Sequence, residues 1–176
     1  MQKIKILFVC LGNICRSAAA EAVMKAKVAE LGVAEVFEID SAGISSAHQG
    51  EPADERMRRH ASRRGFDVTS ISRPIKLLDF EYFDYVIGMD DSNIDVLMDR
   101  ALTLEHKQKI RKMTDYCMGY DDTYVPDPYY GGASGFELVL DLLEDACLGL
   151  LTELNKNFEN DENDINLTIY RLSRQC

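Results

Sequence analysis

The chain alternates between short apolar runs and longer stretches in which apolar residues recur at helical spacing. Short apolar runs are typical of buried strands, and they predict four strands, at residues 3–9, 36–39, 85–89 and 109–113. The longer stretches predict helices at residues 17–31, 54–64 and 91–100, and a last helix beginning at Ser134. Strands that alternate with helices indicate a parallel sheet covered on both faces.

Local signals mark the ends of these helices. Gly32 and Gly65 follow the first two helices, and glycine is favoured just past a helix C-terminus because it tolerates a positive φ. Ser134 and Glu137 have the spacing of a capping box. The last helix carries one apolar stripe, formed by Phe136, Val139, Leu140, Leu143, Cys147, Leu150 and Leu154.

We predict an α/β fold with one domain of three layers: a four-stranded parallel sheet flanked by helices, with a phosphate-binding loop after the first strand. We expect residues 1–158 to form this domain and residues 159–176 to form a C-terminal tail whose structure the sequence does not determine. In the tail, residues 160–164 have a disordered composition, whereas Ile165, Leu167 and Ile169 alternate as in a short strand. A length of 176 residues fits one domain with a sizeable core.

Composition and charge narrow the class of function. The formal net charge of −10 argues against nucleic acid as a general partner, and no apolar run is long enough to span a membrane. We therefore expect neither nucleic acid nor a membrane as a partner, and a reducing, cytoplasmic location for the five cysteines. Since the cysteines and the three histidines show no metal-binding spacing, we expect no metal and no cofactor.

The most informative stretch is VCLGNICRS, at residues 9–17, between the first strand and the first helix. A helix N-terminus has unpaired backbone N–H groups and a partial positive charge, so it binds anions. The loop between strand and helix can surround a phosphate; it consists of Leu11, Gly12, Asn13, Ile14 and Cys15. Arg16 can donate two hydrogen bonds to phosphate oxygens.

The same positive field stabilises a thiolate at Cys10, and the hydroxyl of Ser17 can donate to that sulfur. A thiolate beneath a bound phosphoryl group predicts covalent phosphoryl transfer, with Cys10 as nucleophile and Arg16 as phosphate clamp. The alternative is a buried structural cysteine at a strand end, with a solvated Arg16. The spacing of cysteine and arginine is loose by itself, and the complete string between strand and helix favours the catalytic interpretation.

The loop at residues 115–133 holds candidates for a proton donor. A phenolate leaves more readily when it is protonated as it departs, and Asp127 is the candidate acid. A bound phosphate dianion would hold the proton on such a carboxyl group. Asp121 and Asp122 are alternatives, and all three are also compatible with solvated loop carboxylates.

The same loop is rich in tyrosine. Tyr129 and Tyr130 can form a wall for a planar phenyl ring in a substrate cleft. The alternative is that some tyrosines of the loop pack in its core, with Tyr116 and Tyr120 as the candidates.

Four segments together resemble the low-molecular-weight protein tyrosine phosphatases. In chain order they are residues 9–17, the segment DSAG at 40–43, the segment FDYVIGMDDSN at 83–93 and the segment VPDPYYGG at 125–132. Their order and spacing agree with that family over residues 3–157. The resemblance implies hydrolysis of phosphotyrosine in proteins, or of small aryl phosphates, through a cysteinyl phosphate. It implies that Asp127 is the general acid and later the base, and that inorganic phosphate is the product.

The resemblance also implies supporting roles. Asn13, Ser17 and Ser41 resemble a polar network that holds the phosphate loop, which relatives often complete with a histidine near the position of Ser70. Some relatives form a disulfide between the positions of Cys10 and Cys15, which protects the nucleophile from over-oxidation.

Substrate preference is the part of the resemblance that departs from the family pattern. Residues 44–50 resemble a variable specificity loop in which relatives often carry a large aromatic residue near Ala47. Here the cleft is either wider or walled by His48. Relatives that act on phosphoarginine tend to carry threonine where Ile14 stands, so Ile14 favours phosphotyrosine. An arginine phosphatase and a non-catalytic phosphate-binding or thiol redox module remain the alternatives.

Five arginines crowd the predicted second helix of this acidic chain, at positions 56, 58, 59, 63 and 64. A run of charge is usually a solvated helix face. The alternative is a docking surface for acidic segments of phosphoproteins.

Overall fold

The structure, a computed structural model, describes residues 3–160, with side chains as far as residue 156. Its centre is a four-stranded sheet in the order β2-β1-β3-β4, and every neighbouring pair is parallel. The strands are β1 (Ile4–Cys10), β2 (Phe37–Gly43), β3 (Tyr85–Gly88) and β4 (Ile110–Lys112). The chain leaves β1 toward one edge to form β2 and returns to its other side to form β3. The carboxyl end of β1 is therefore the switch point where such folds bind ligands.

Six helices and two 3₁₀ turns surround the sheet in the described part of the chain. They are α1 (Arg16–Glu30), α2 (Glu55–Arg63), α3 (Leu77–Tyr82), α4 (Asp91–Arg100), α5 (Leu104–Gln108) and α6 (Ala133–Asn160), with 3₁₀ turns at Ala34–Val36 and Met113–Tyr116. Alternate side chains of β1 enter two different cores. Ile6 and Phe8 join the core beneath α1 and α6, whereas Leu7 and Val9 join the core beneath α3 and α4.

The predicted α/β fold with a four-stranded parallel sheet in a single domain is confirmed, and the differences lie in short elements. Helices α3 and α5 were not predicted, because six or five residues are too few for helical periodicity to show. The second strand continues to Gly43 beyond its predicted end. Gly32 and Gly65 adopt positive φ values of 69° and 85°, as expected of residues that end helices.

The predicted capping box of α6 is wrong. The helix begins at Ala133, one residue before the predicted cap. The carboxylate of Glu137 accepts hydrogen bonds from His60 and Arg64 on the α2 side, so long-range ion pairing replaces the local bond to the backbone. The boundary at residue 158 stays a prediction, and the interpretation of residues 161–176 lies outside the described residues. No helix within residues 3–160 is long and apolar enough to cross a membrane.

Candidate active site

The loop between β1 and α1 forms the floor of a cleft. Strand β1 ends at Cys10 and α1 begins at Arg16. A cavity of about 240 Å³ opens above the loop and is lined by Cys10, Leu11, Gly12, Ile14, Cys15, Arg16, Ser45, Ala47, His48, Asp127, Tyr129 and Tyr130. In the described part of the chain, no backbone N–H group of residues 12–16 donates to another protein group. Unpaired amides at a helix N-terminus make this floor an anion site.

Asn13 holds the loop in its curved shape. It has a φ of 56°, the only positive value at a non-glycine position among the described residues. Its side-chain amide donates to the hydroxyls of Ser17 at 2.8 Å and Ser41 at 2.9 Å, and its carbonyl oxygen accepts from the backbone N–H of Arg73 at 3.0 Å. Asparagine tolerates the left-handed region better than most residues, and these three bonds fix the amide's orientation.

The sulfur of Cys10 has one polar side-chain neighbour at short range. The Sγ atom lies 3.1 Å from the Oγ atom of Ser17, which is fully buried. Because Asn13 donates to that oxygen, the hydroxyl proton of Ser17 is free to point toward the sulfur. The carbonyl oxygen of Ala42 competes for this proton only at 3.4 Å. Ser17 is therefore placed to donate a hydrogen bond to the sulfur.

The polar network continues through residues that sequence reasoning missed. The hydroxyl of Ser41 donates to the buried carboxylate of Glu21 at 2.5 Å, and Lys25 forms an ion pair with the same carboxylate. Glu21 stands one helical turn after Ser17 in an otherwise apolar stretch, which is the signal that could have revealed it. The hydroxyl of Ser72 donates to the Gly12 carbonyl oxygen at 3.0 Å.

Ser70 does not join this network. Its hydroxyl oxygen is buried without a protein partner among the described residues. The network is therefore shorter at this position than in relatives that carry a histidine there, and the hydroxyl of Ser72 and the backbone N–H of Arg73 bind the loop.

Arg16 is buried and held from three directions. One terminal nitrogen donates to Asp90 at 2.6 Å and to the carbonyl oxygen of Val125 at 3.1 Å, and the other donates to Asp127 at 3.2 Å. Burial opposes the charge, but Cys10, Asp90 and Asp127 outweigh it and raise the pKa of Arg16. The guanidinium is thus a fixed positive charge beside Cys10.

Asp90 is a further residue that sequence reasoning missed. It follows β3 and its carboxylate caps α4 by accepting from the backbone N–H of Asn93 at 2.8 Å. Burial opposes the charge of Asp90, yet its hydrogen bonds with Arg16, Asn93 and Ser92 lower the pKa of the carboxyl group. An acidic residue at the carboxyl end of a strand beside β1 was the available signal.

Asp127 lies at the rim of the cleft. Its carboxylate contacts Arg16 and accepts from the backbone N–H of Tyr129 at 3.0 Å, while 37% of the side chain stays exposed. The alternative acids Asp121 and Asp122 are exposed and do not line the cleft. Geometry therefore separates the three candidate carboxylates, which the sequence alone left open.

Four further residues form the walls. Ala47 and His48 lie on one side, and His48 binds Glu51 through its Nδ1 atom at 2.7 Å. Tyr129 also lines the cavity, with its ring centroid 6.4 Å from that of His48. Tyr130 packs edge-on against Tyr129 at 4.9 Å and is almost fully exposed. The structure thus places all four predicted cleft residues around the cavity.

Other predicted residues divide between core and surface. Of the two tyrosines that were candidates for packing in the loop core, Tyr116 is buried and Tyr120 is 39% exposed. Cys15 is buried beside the cleft, and burial, reinforced by the charge of Asp54, raises the pKa of its thiol. Cys15 is therefore in its thiol form, which is less reactive than a thiolate.

The basic segment at residues 56–64 is not a single solvated face. Arg64 forms ion pairs with Glu137, Asp141 and Glu144 of α6, and Arg56 pairs with Asp54. The other three arginines, at positions 58, 59 and 63, are exposed.

A cysteine at the centre of an anion-binding loop, with a fixed arginine and an acid at the rim, defines the class of cysteine-dependent phosphatases. The comparisons agree with this class. Residues 5–160 match the family model of the low molecular weight phosphotyrosine protein phosphatases. The chain belongs to this family and is a protein-tyrosine phosphatase, a phosphoric monoester hydrolase.

The matches to individual relatives span almost the whole length of each relative. A putative low molecular weight protein-tyrosine-phosphatase of Synechocystis is 44% identical over 156 residues, which are 89% of this chain and 99% of the relative. The crystal structure of a protein tyrosine phosphatase from Entamoeba histolytica, with Hepes in the active site, has a TM-score of 0.86 at 51% identity; the match covers 88% of this chain and 99% of that one. An arginine phosphatase of Drosophila is also similar, with a TM-score of 0.81 at 30% identity over 92% and 99% of the two chains.

Proposed function

We propose that Cys10, Arg16 and Asp127 carry out the hydrolysis of phosphotyrosine in proteins through a cysteinyl-phosphate intermediate. The observation that carries the proposal is the convergence of three groups in one cleft. The Cys10 sulfur lies 3.1 Å from the Ser17 hydroxyl, the Arg16 guanidinium is fixed beside it, and the Asp127 carboxylate stands at the rim. These groups come from residues up to 117 positions apart, counted from Cys10 to Asp127.

In the first step, the Cys10 thiolate attacks phosphorus and the bond to the phenolate oxygen breaks. The unpaired amides of residues 12–16 and the guanidinium of Arg16 bind the equatorial oxygens, where charge must be stabilised in the transition state. Asp127 gives its proton to the leaving oxygen, so that a neutral phenol departs.

In the second step, water attacks the phosphorus of the cysteinyl phosphate and the sulfur leaves as thiolate. Asp127, now a carboxylate at the rim, accepts a proton from that water. Ser17 stabilises the departing thiolate, since its hydroxyl already lies 3.1 Å from the sulfur. Inorganic phosphate is released and the free enzyme is restored.

The cleft supports an aryl phosphate as substrate. Tyr129 and His48 both line the cavity, with ring centroids 6.4 Å apart, and Ile14 and Leu11 add apolar surface to it. A planar ring contacts such walls on its faces. We include in the proposal a reducing, cytoplasmic setting, because a thiolate nucleophile must stay reduced.

The arginine phosphatase of Drosophila keeps phosphoarginine as the second candidate, since its fold is shared. Ile14 favours phosphotyrosine, because a buried isoleucine offers apolar contact and no polar group for a guanidinium.

The test is hydrolysis of a phosphotyrosine peptide beside a phosphoarginine peptide of equal sequence, in reducing buffer. Wild type and Cys10→Ser are compared, with Cys117→Ser as the matched control at a cysteine outside the cleft. We expect turnover that favours phosphotyrosine, is unchanged in Cys117→Ser and is lost in Cys10→Ser, while the latter still binds inorganic phosphate. Multiple turnover by Cys10→Ser would contradict the nucleophile assignment, and preference for phosphoarginine would overturn the substrate.

A further inference from the structure

Arg56 lies behind the Tyr129 wall of the cleft, outside the catalytic groups assigned above. Its guanidinium carbon stands over the ring of Tyr129, 5.4 Å from the centroid, and over the ring of Phe136, 5.0 Å from the centroid. Both distances fall within the range of cation–π attraction. Arg56 is thus positioned to link an exposed cleft residue to a core residue, since Phe136 is buried and Tyr129 is 37% exposed.

The guanidinium itself is anchored. Its Nε and Nη2 atoms donate to the two carboxylate oxygens of Asp54, at 3.1 and 2.9 Å. A bidentate pair of this kind restricts the orientation of the guanidinium plane. Asp54 also caps α2, by accepting from the backbone N–H of Arg56 at 2.8 Å.

Asp54 in turn is tied to the phosphate loop. Its backbone N–H donates to the carbonyl oxygen of Ile14 at 2.8 Å. On the opposite side, the ring of Phe136 stacks on His60, with centroids 5.4 Å apart and planes 6° from parallel. Arg56 therefore stands on a support that is fixed relative to the loop, whereas the ring of Tyr129 reaches toward the solvent.

We propose that Arg56 is a positioning residue for the aryl group of the substrate: it holds the ring of Tyr129 in place as a cleft wall. A wall that is ordered before binding lowers the entropy cost of ordering it when the substrate arrives. The inference rests on the proposed function, because it concerns the aryl group of that reaction. It assigns Arg56 no contact with the reacting atoms.

The inference predicts different effects on the binding of the substrate's ring and on the binding of its phosphate. Loss of Arg56 should weaken the binding of phosphotyrosine and leave the binding of inorganic phosphate unchanged. An exposed cation–π contact corresponds to roughly a two- to five-fold change in an equilibrium constant. A loss of substrate binding that does not affect the reacting centre raises KM and leaves kcat unaltered.

The experiment measures KM and kcat of Arg56→Gln for a phosphotyrosine peptide and for acetyl phosphate, which has no ring, together with inhibition by inorganic phosphate. We expect KM for the peptide to rise about two- to five-fold, with the other constants unchanged. Arg58→Gln is the matched control, because Arg58 is an exposed arginine of the same helix that contacts no ring in the described structure. It should behave as wild type.

A double-mutant cycle with Tyr129→Leu tests whether Arg56 acts through Tyr129. The backbone N–H of residue 129 still donates to Asp127 in that variant, so the acid keeps this bond. The double variant should match Tyr129→Leu alone, and Arg56→Lys should recover part of the loss by keeping the charge. If Arg56→Gln does not fold, Arg56→Lys replaces it, and its KM for the peptide is compared in the wild-type and the Tyr129→Leu backgrounds.

Three results would overturn the inference: an unchanged KM for the peptide, an equal rise for acetyl phosphate and inorganic phosphate, or additive effects in the cycle. Failure of the proposed function looks different, because wild type would then turn over neither substrate.

Discussion

At the scale of single residues, Arg16 and Asp127 share one ion pair in the free enzyme. A second nitrogen of Arg16 is held by Asp90 and Val125, so the arginine keeps its place when substrate phosphate competes for the contact with Asp127. Release from the arginine would leave the Asp127 carboxyl group free to face the leaving oxygen, as the proposed general acid must.

Asp127→Asn tests that role. The amide cannot donate a proton to the leaving oxygen, so phosphates of poor leaving groups should react about 10²- to 10⁴-fold more slowly. Phosphates of good leaving groups, which need no proton, should lose far less. The measurement is kcat for a series of aryl phosphates whose phenols differ in acidity, with Asp121→Asn as the control because Asp121 is exposed and outside the cleft. Equal losses across the series would contradict the assignment.

Asn13 is the residue on which the shape of the phosphate loop depends. Asn13→Ala should lower the free energy of unfolding by about 2–4 kcal/mol, because it removes buried hydrogen bonds and because alanine tolerates left-handed backbone less well than asparagine. Asn13→Gly is the matched variant, since glycine tolerates the observed φ of 56°. We expect it to be more stable than the alanine variant and less stable than wild type in chemical denaturation. A glycine variant as stable as wild type would show that the amide's bonds contribute nothing.

At the scale of elements, α6 approaches the 3₁₀ turn at Met113–Tyr116 so closely that only glycine fits between them. A β-carbon at Gly149 would lie 1.8 Å from the Tyr116 carbonyl oxygen. The approach helps to place the polypeptide that continues from this turn toward Asp127. The contact therefore connects packing of the longest helix with the position of the acid loop.

Gly149→Ala should destabilise the protein, although alanine in a helix interior is normally better than glycine by roughly 0.5–1 kcal/mol. Overpacking of this severity costs at least about 1–3 kcal/mol. The control is Gly135→Ala in the same helix, where the nearest heavy atom would lie at 3.8 Å, an ordinary contact. Thermal unfolding should show a lower Tm for the first variant and an unchanged or higher Tm for the second. The same sign for both would refute the packing argument.

At the scale of the whole molecule, buried or half-buried carboxylates couple stability to pH. Arg56 lowers the pKa of Asp54 through a side-chain hydrogen bond, and the interactions of Asp90 lower its pKa despite burial. A lowered pKa in the folded state means stability that is present above the unfolded value and lost as pH falls through the folded one. The unfolded value is near 3.8 for both residues.

We therefore expect the free energy of unfolding to fall steeply only below about pH 4. Asp90→Asn should be less stable than wild type at pH 7 and should lose less on acidification, because its contribution no longer titrates. Urea unfolding across pH 3 to 7 measures both effects. Asp121→Asn, at an exposed site, should keep the wild-type slope. A wild-type slope in Asp90→Asn would show that this carboxylate does not carry the pH dependence.

The sequence was sufficient where the signal was local. Periodicity predicted the four strands and the long helices, and the string at residues 9–17 predicted the anion site, because a strand, a glycine-containing loop and a helix N-terminus together specify its chemistry. Asp127 and Tyr129 were candidates from the chemistry of their loop, which has no periodicity, and the resemblance was needed to single out Asp127 from its neighbouring carboxylates. Helices α3 and α5 were missed because they are too short to show a period.

Only the tertiary structure decided which distant side chains meet. Glu21 and Asp90 look like ordinary surface acids in the sequence, yet the first is bound by Ser41 and the second by Arg16. Arg56 belongs to a run that reads as a solvated face, and it stands between two aromatic rings. Covalent neighbours determine local conformation, and so the sequence determined the loop and its chemistry. Partners separated by tens of residues are determined by sheet order and helix packing, which no local pattern contains.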